Sequence, residues 1–300
     1  MRRSAKAHLL LVLCTIVWGA TFVVVKDALM DVSPLLFNAV RMTLAALLLL
    51  ALLHRRLWPM SAATLRAGCW LGFWMMLGYE FQTAGLAWTT PSRSAFLTGL
   101  SVVLVPLLLA VFWHRRVNRW TLLGVLLALA GLYGLTTGGR GDWRSLNAGD
   151  VLTLLCAFAW AFQIIYLTRV TKRHPFLQVV AVEVASCALM MWLAQPIAEP
   201  HAFLLPTARL GWAFGITVIL ATVAAFVIQA WAQQFTPPTH ASLIYSLELV
   251  FAALTSYLFL HERLGWSGVF GGGLILGGIL ISELWGSVRQ PEAELNEEAG

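Results

Sequence analysis

The sequence predicts an all-α membrane protein of ten transmembrane helices, built as two inverted five-helix repeats. Three observations carry this expectation. Apolar residues make up 59% of the 300-residue chain and charged residues only 11%, where a soluble domain has about 45–50% and 25%. Mean hydropathy is +0.78, and the apolar residues fall in long blocks along the whole chain. Finally, the two halves of the chain match each other in two separate blocks.

A helix crossing the hydrocarbon layer needs about 20 mostly apolar residues, because only internal hydrogen bonds can satisfy its backbone in lipid. Five such stretches occur in the first half: Ala7 to Met30, Pro34 to Leu53, Leu65 to Trp88, Ser92 to Trp113 and Trp120 to Leu135. The second half supplies Gly149 to Val170, Phe176 to Ile197, Gly211 to Thr236, Ala241 to Leu260 and Ser267 to Leu284. The expected domain limits are 1–140 for the first repeat and 147–287 for the second. An acidic tail over 288–300 is expected to be solvated and disordered.

Positively charged loops stay on the cytoplasmic side. With the N-terminus inside, the inner segments hold Arg2, Arg3, Lys6, Arg55, Arg56, Arg66, Arg115, Arg116, Arg119, Arg169, Lys172, Arg173 and Arg289. The outer loops hold only Lys26, Arg93, Arg140, Arg144, Arg209 and Arg263. Both termini are therefore expected to be cytoplasmic. The net charge of +6 is spread as this bias and forms no single basic face, which argues against a nucleic-acid partner.

Cys14, Cys69, Cys156 and Cys187 lie in apolar stretches without metal-ligand spacing, so they read as packing residues. Arg2, Arg3 and Lys6 before an apolar run resemble a signal peptide, but nine further spans and Lys26 argue for a retained helix.

Leu13, Cys14 and Trp18 recur as Leu155, Cys156 and Trp160, at an offset of 142. Thr90, Pro91, Ala95, Leu97, Leu108 and Trp120 recur as Thr236, Pro237, Ala241, Leu243, Leu254 and Trp266, at an offset of 146. An odd number of spans per repeat makes the second copy enter the membrane from the opposite side. Inverted repeats of this kind place a solute site near the midplane, where the copies meet.

Trp18, Gly19, Ala20, Thr21, Phe22 and Lys26, then Ser33, Pro34 and Arg41, resemble the EamA family of the drug/metabolite transporter superfamily. The stretch from Gly78 through Gln82, Thr83 and Ser94 to Gly99 and Pro106 resembles it too, as does Ala241 to Glu248 followed by Phe251 to Leu254 and His261 to Leu264. The chain departs from the family pattern at Leu249, where proline is frequent, and at Arg115 and Arg116, where Gly-Glu is usual. The resemblance implies a ten-helix bundle with a central cavity lined by the first, third, fourth, sixth, eighth and ninth helices. It also implies export of a metabolite.

Several residues are candidates for lining that cavity. Glu248 lies deep in the ninth span, where a carboxylate facing lipid would cost about 2.5–3.5 kcal/mol, so it should face inward. Ala241, Tyr245, Glu248, Ala252 and Thr255 share one helical face. Ser94, Thr98 and Ser101 form a hydroxyl stripe on the fourth helix, which either meets solute or serves helix packing. Trp18 and Trp160 occupy equivalent positions, as cavity walls or as plain core. Gln163, Gln229 and Gln233 offer amides.

Tyr79, Glu80, Gln82 and Thr83 form the most polar cluster within any span, with Tyr79 and Gln82 preferred as solute contacts. Glu80 is placed nearer the surface, beside an outer-loop arginine. Glu248, Glu80 and Glu183 are the candidates for proton coupling. Arg41 and Glu183, in equivalent helices, are each expected to satisfy neighbouring backbone groups. Gly268, Gly272, Gly273 and Gly277 in the tenth helix and Gly124 and Gly131 in the fifth imply close helix contact, within one chain or in a homodimer.

A secondary transporter of an amino acid or related amphiphile, in a bacterial inner membrane, is the leading expectation. A multidrug or cation efflux carrier is the neighbouring one. The sequence has no P-loop and no H-E-x-x-H spacing, so neither ATP hydrolysis nor zinc chemistry is expected, and no cofactor or metal. An intramembrane enzyme, a channel and a receptor scaffold fit the residues less well.

Overall fold

The computed structural model describes residues 3–113, 118–137 and 147–286. Arg2, His114, Arg115, Arg116, Arg140, Arg144, Arg289 and the acidic tail lie outside them.

Ten helices run through the described residues. Helix α1 is Arg3–Ala28, α2 Pro34–Leu53 and α3 Ala62–Trp88. Helix α4 is broken into Pro91–Gly99 and Ser101–Trp113, and α5 is Arg119–Thr137. Helix α6 is Ala148–Arg173 and α7 Phe176–Ala198. Helix α8 runs from Ala208–Gly215 through a widened i→i+5 stretch, Ile216–Ala224, into Ala225–Ala232. Helix α9 is broken into Pro238–Tyr245 and Leu247–Leu260, and α10 is Trp266–Gly286.

Six of these segments are individually long and apolar enough to cross a membrane. Helix α3 reaches 27 residues, but its polar cluster lowers its apolarity. It tolerates that cluster because α2, α6 and α7 surround it with protein rather than lipid.

Caps set the helix starts. Ser61 accepts from the Thr64 amide at 3.1 Å and Thr207 from Leu210 at 3.1 Å. Asn147 and Asp150 form a reciprocal capping box at the head of α6, and Arg93 reaches Asp150 at 2.5 Å. Lys26 donates to the carbonyls of Leu86 (2.7 Å), Ala87 (3.1 Å) and Thr89 (2.9 Å), so a cation closes the C-terminal end of α3.

The packing follows the repeat. Helix α1 packs on α9 as α6 packs on α4, α3 packs on α7 as α8 packs on α2, and α2–α7 and α5–α10 each map onto themselves. Exchanging every helix for the one five positions along therefore leaves these contacts unchanged, which is the two-fold relation of inverted repeats. The breaks obey the same relation. Leu100 interrupts α4 and Ser246 interrupts α9, and these positions are 146 residues apart, the offset of the second matching block.

The glycines of α5 and α10 meet within the chain. A Cβ on Gly131 would lie 2.4 Å from the Gly271 carbonyl, and one on Gly278 would lie 2.5 Å from that of Gly124. Gly272 accommodates the Phe96 ring, whereas Gly273 and Gly277 face open space.

Beyond the end of α1, Asp31 binds Arg209 at 2.5 Å and Thr207 at 2.5 Å, and Val32 pairs with Leu204 in an isolated β-bridge. This ties the α1–α2 link to the start of α8. The Arg209 and Thr207 hydrogen bonds hold the Asp31 carboxyl below the usual carboxylate range.

Candidate functional site

Between the two repeats lies a cavity of about 750 Å³, measured out to its mouth. Its walls come from α1, α3, α4, α6, α8 and α9, as the family resemblance implies, with Arg41 added from α2. The lining follows α1 from Trp18 to Val25 and α3 from Tyr79 to Leu86, the halves of the bundle in which these helices end. Toward the other end, Leu11, Val105, Leu108, Ile165 and Ala241 pack into an apolar plug.

The two broken helices deliver polar groups to the cavity. Thr98 and Ser101 flank the interruption of α4, and Tyr245 and Glu248 flank that of α9. Both interruptions are local tightenings of a single turn, since Leu100 (φ −60°, ψ −18°) and Ser246 (φ −60°, ψ −21°) keep right-handed helical dihedrals. Glu248 stands two residues beyond the interruption of α9 and lines the cavity. Gly19 brings α1 onto this turn, since a Cβ there would lie 2.8 Å from the Glu248 carbonyl.

Aromatic rings form most of the remaining wall. Trp18 lies 5.7 Å from Phe226 and 5.6 Å from Tyr245 between ring centroids, and Trp160 lies 4.9 Å from Tyr79, edge to face. Trp18 donates its indole N–H to the Ala221 carbonyl at 2.9 Å, in the widened part of α8. Trp160 lies flat against α3 because Gly78 has no side chain: a Cβ there would come within 2.8 Å of the indole.

The amides form a short relay. Gln229 donates to Gln163 at 3.4 Å, and Gln163 donates to Glu183 at 2.9 Å. Gln82 reaches Thr98 at 3.4 Å. The Tyr245 hydroxyl lies beside Gln229 but makes no hydrogen bond of ordinary geometry with it.

Of the residues singled out in the sequence, Trp18, Tyr79, Gln82, Thr98, Trp160, Gln163, Gln229, Tyr245 and Glu248 all line this one space. Others do not. Gln233 is fully buried and donates to the Thr168 hydroxyl at 3.3 Å. Ser94 is wholly buried among helices. Glu183 is buried behind Gln163. Glu80 is not near the surface: it is 7% exposed and accepts from Asn38 at 3.3 Å, so an amide of α2 takes the place of the expected loop arginine.

Arg41 also departs from expectation. Its partners are the side chains of Thr222 and Tyr79, not backbone carbonyls. Its charge within a span was the available signal that it belongs to the site. Thr21, Thr83 and Phe226 also line the cavity. Among the described residues, no group of three His, Cys, Asp or Glu side chains could hold a metal ion.

Comparison with known proteins agrees with this geometry. An uncharacterized transporter of Archaeoglobus fulgidus is 33% identical over 283 residues, covering 93% of this chain and 86% of that protein. A Salmonella typhimurium protein named a probable amino-acid metabolite efflux pump is 28% identical over 222 residues, covering 73% and 70%. The uncharacterized inner membrane transporter YedA of Escherichia coli is 26% identical, covering 70% and 68%. A solved crystal structure shares the fold with a TM-score of 0.68 at 20% identity, covering 94% of this chain and 98% of that one. The model of the EamA-like transporter family matches residues 5–137 and 147–284, and the chain is accordingly a multi-pass membrane transporter belonging to that family.

Proposed function

We propose that the protein is a secondary transporter that exports a small amphiphilic metabolite, such as an amino acid, by alternating access through the central cavity. The single observation that carries this is the composition of the cavity between the repeats: a wall of aromatic rings, three amides and one carboxylate, plugged at one end. The rings suit an apolar side group, and the amides with Glu248 suit a polar end. The Salmonella relative's name points the same way. In the proposed setting, a bacterial inner membrane with both termini cytoplasmic, the cavity lies in the outer half of the bilayer and the plug in the inner half. Rocking of one five-helix unit against the other would open the plug and close the cavity mouth.

A cation efflux carrier is the second reading, favoured by Glu248 standing beside Trp18 and Tyr245, a grouping that attracts positive charge. Purified protein in liposomes, given labelled amino acids and amphiphilic cations with and without a pH gradient, separates the two. Saturable flux of amino acids is expected. Replacing Glu248 by Gln should reduce that flux at least about tenfold or uncouple it from the gradient, the usual size of a lost charge-assisted contact. Flux in Glu248→Gln equal to the parent's at every pH would remove the carboxylate from the mechanism, and cation flux alone would favour the second reading.

A further inference from the structure

We infer that Arg41 is the carboxylate-binding residue of the cavity, so that the protein selects solutes carrying a carboxylate over their uncharged analogues. This rests on the transport reading above and specifies the chemistry of its solute.

Arg41 is 3% exposed, yet it stands in the cavity wall. Its Nε donates to the Thr222 hydroxyl at 2.9 Å and a terminal nitrogen donates to the Tyr79 hydroxyl at 3.1 Å. The guanidinium also lies 4.5 Å from the Tyr79 ring centroid. All of these partners are neutral. A guanidinium has five N–H donors in a fixed planar fork, so donors remain over. A buried charge without an opposite charge is costly, and no ion pair among the described residues includes Arg41.

None of the carboxylates on the surrounding helices forms an ion pair with Arg41 among the described residues. Glu80 on α3 accepts from Asn38 and Glu183 on α7 from Gln163, each through one oxygen, while the other oxygen of each is buried without a hydrogen bond. Glu248 belongs to α9, which packs on α1 and α4, while α2 packs on α3, α7 and α8. Arg41 and Glu248 thus approach the space from different sides. Thr222 and the Tyr79 ring fix the fork in place before any solute arrives, which lowers the ordering cost of binding. A solute carboxylate fits that fork with two parallel hydrogen bonds. An ammonium on the same solute would fall toward Glu248, and its apolar group among Trp18, Trp160 and Phe226.

The test uses the full chain in liposomes. Matched pairs of probes, each an amino acid and its carboxamide (phenylalanine, leucine, methionine and threonine), compete for uptake with labelled forms of both. For the amino acids that are carried, the carboxamide should be weaker by about 10- to 100-fold, the range for a hydrogen bond to a charged group. Arg41→Gln should bring acid and amide to within about twofold of each other, and Arg41→Lys, which keeps charge but loses the fork, should restore part of the preference. A purely structural Arg41 would lower both fluxes together and leave their ratio unchanged, so the ratio is the readout; where Arg41→Gln does not fold, Arg41→Lys supplies it. Equal transport of acids and amides by the parent, or an undiminished preference in both variants, would overturn the inference and leave the transport reading standing. Absence of any saturable flux would overturn both.

Discussion

Helix α1 crosses α9 in close backbone contact at Gly19, and Gly19→Ala tests that joint. A methyl group on Gly19 would lie 2.7 Å from Phe251 Cβ, 2.8 Å from the Glu248 carbonyl oxygen and 2.9 Å from the Ala252 amide nitrogen. None of these atoms can turn away by changing rotamer, so the helices must separate. Reaching ordinary contact at 3.4 Å from 2.7 Å requires a shift of 0.7 Å. Forcing an extra methyl into a filled joint costs about 1–3 kcal/mol, and the better helix propensity of alanine returns at most about 1 kcal/mol. With the full return the expected net loss is up to about 2 kcal/mol, which should lower the thermal midpoint in detergent by up to roughly 8 °C.

Gly273→Ala is the matched control, since nothing lies within 4 Å of a Cβ there. It should be neutral or stabilising by up to about 1 kcal/mol. Flux should fall in Gly19→Ala and not in Gly273→Ala, because the displaced backbone carries Glu248. Equal midpoints for the two variants would refute the reasoning about the α1–α9 joint. A destabilised Gly273→Ala would show instead that this glycine face is covered by a second copy of the chain.

Asp150 is fully buried and serves the capping box of α6, the Thr89 hydroxyl and Arg93 at once. Asp150→Ala should therefore cost about 3 kcal/mol, the lower end for a broken buried pair because Arg93 keeps 20% of its side chain exposed; thermal unfolding in detergent reads it. Beyond the end of α1, Asp31 has a carboxyl held below its usual range by Arg209 and Thr207. Its stabilisation is then present above the unfolded value of about 3.9 and is lost as pH falls through the still lower folded value. The midpoint difference between the parent and Asp31→Asn should accordingly stay constant over roughly pH 5–8 and close only in stronger acid; a difference that faded between pH 7 and 5 would contradict the assignment.

Ten helices and their inverted pairing were legible because lipid imposes one rule on every span, and the matching tryptophans and Thr-Pro pairs mark the repeat directly. Which residues face the cavity was legible where a polar group within a span has no inexpensive alternative, as for Glu248, Gln163 and Gln229. The interruptions at Leu100 and Ser246 were not, since leucine is a good helix former and a lone serine within a span marks no break. The widened turn of α8 has no local signature either: Ile216 to Ala224 reads as a continuous apolar helix, and only the Trp18 and Arg41 side chains reaching Ala221 and Thr222 reveal what surrounds it. Glu80 illustrates a third limit. Its partner Asn38 lies on another helix at a separation of 42 residues, and such a pairing leaves no periodic trace in the chain.

The charges break the symmetry that the backbone keeps. Trp18 and Trp160 correspond at the offset of 142, and at that same offset Arg41 corresponds to Glu183. Glu248, at the offset of 146, corresponds to Val102. Under the proposed alternating access, a scaffold that exchanges two conformations needs its two halves to offer equivalent packing, as the recurring helix contacts do. Solute recognition has the opposite requirement. Were both halves to carry the same charges, a dipolar solute would fit the cavity equally well in two opposed orientations, and each would place its apolar group against a different wall. In the proposed recognition, a single cation on α2 and a single carboxylate on α9 would admit only one. With Glu183 withdrawn behind Gln163, the copy of Arg41 in the second repeat supplies no rival anchor to the cavity surface, so under the proposed mechanism the repeat supplies the motion and its departures supply the selectivity.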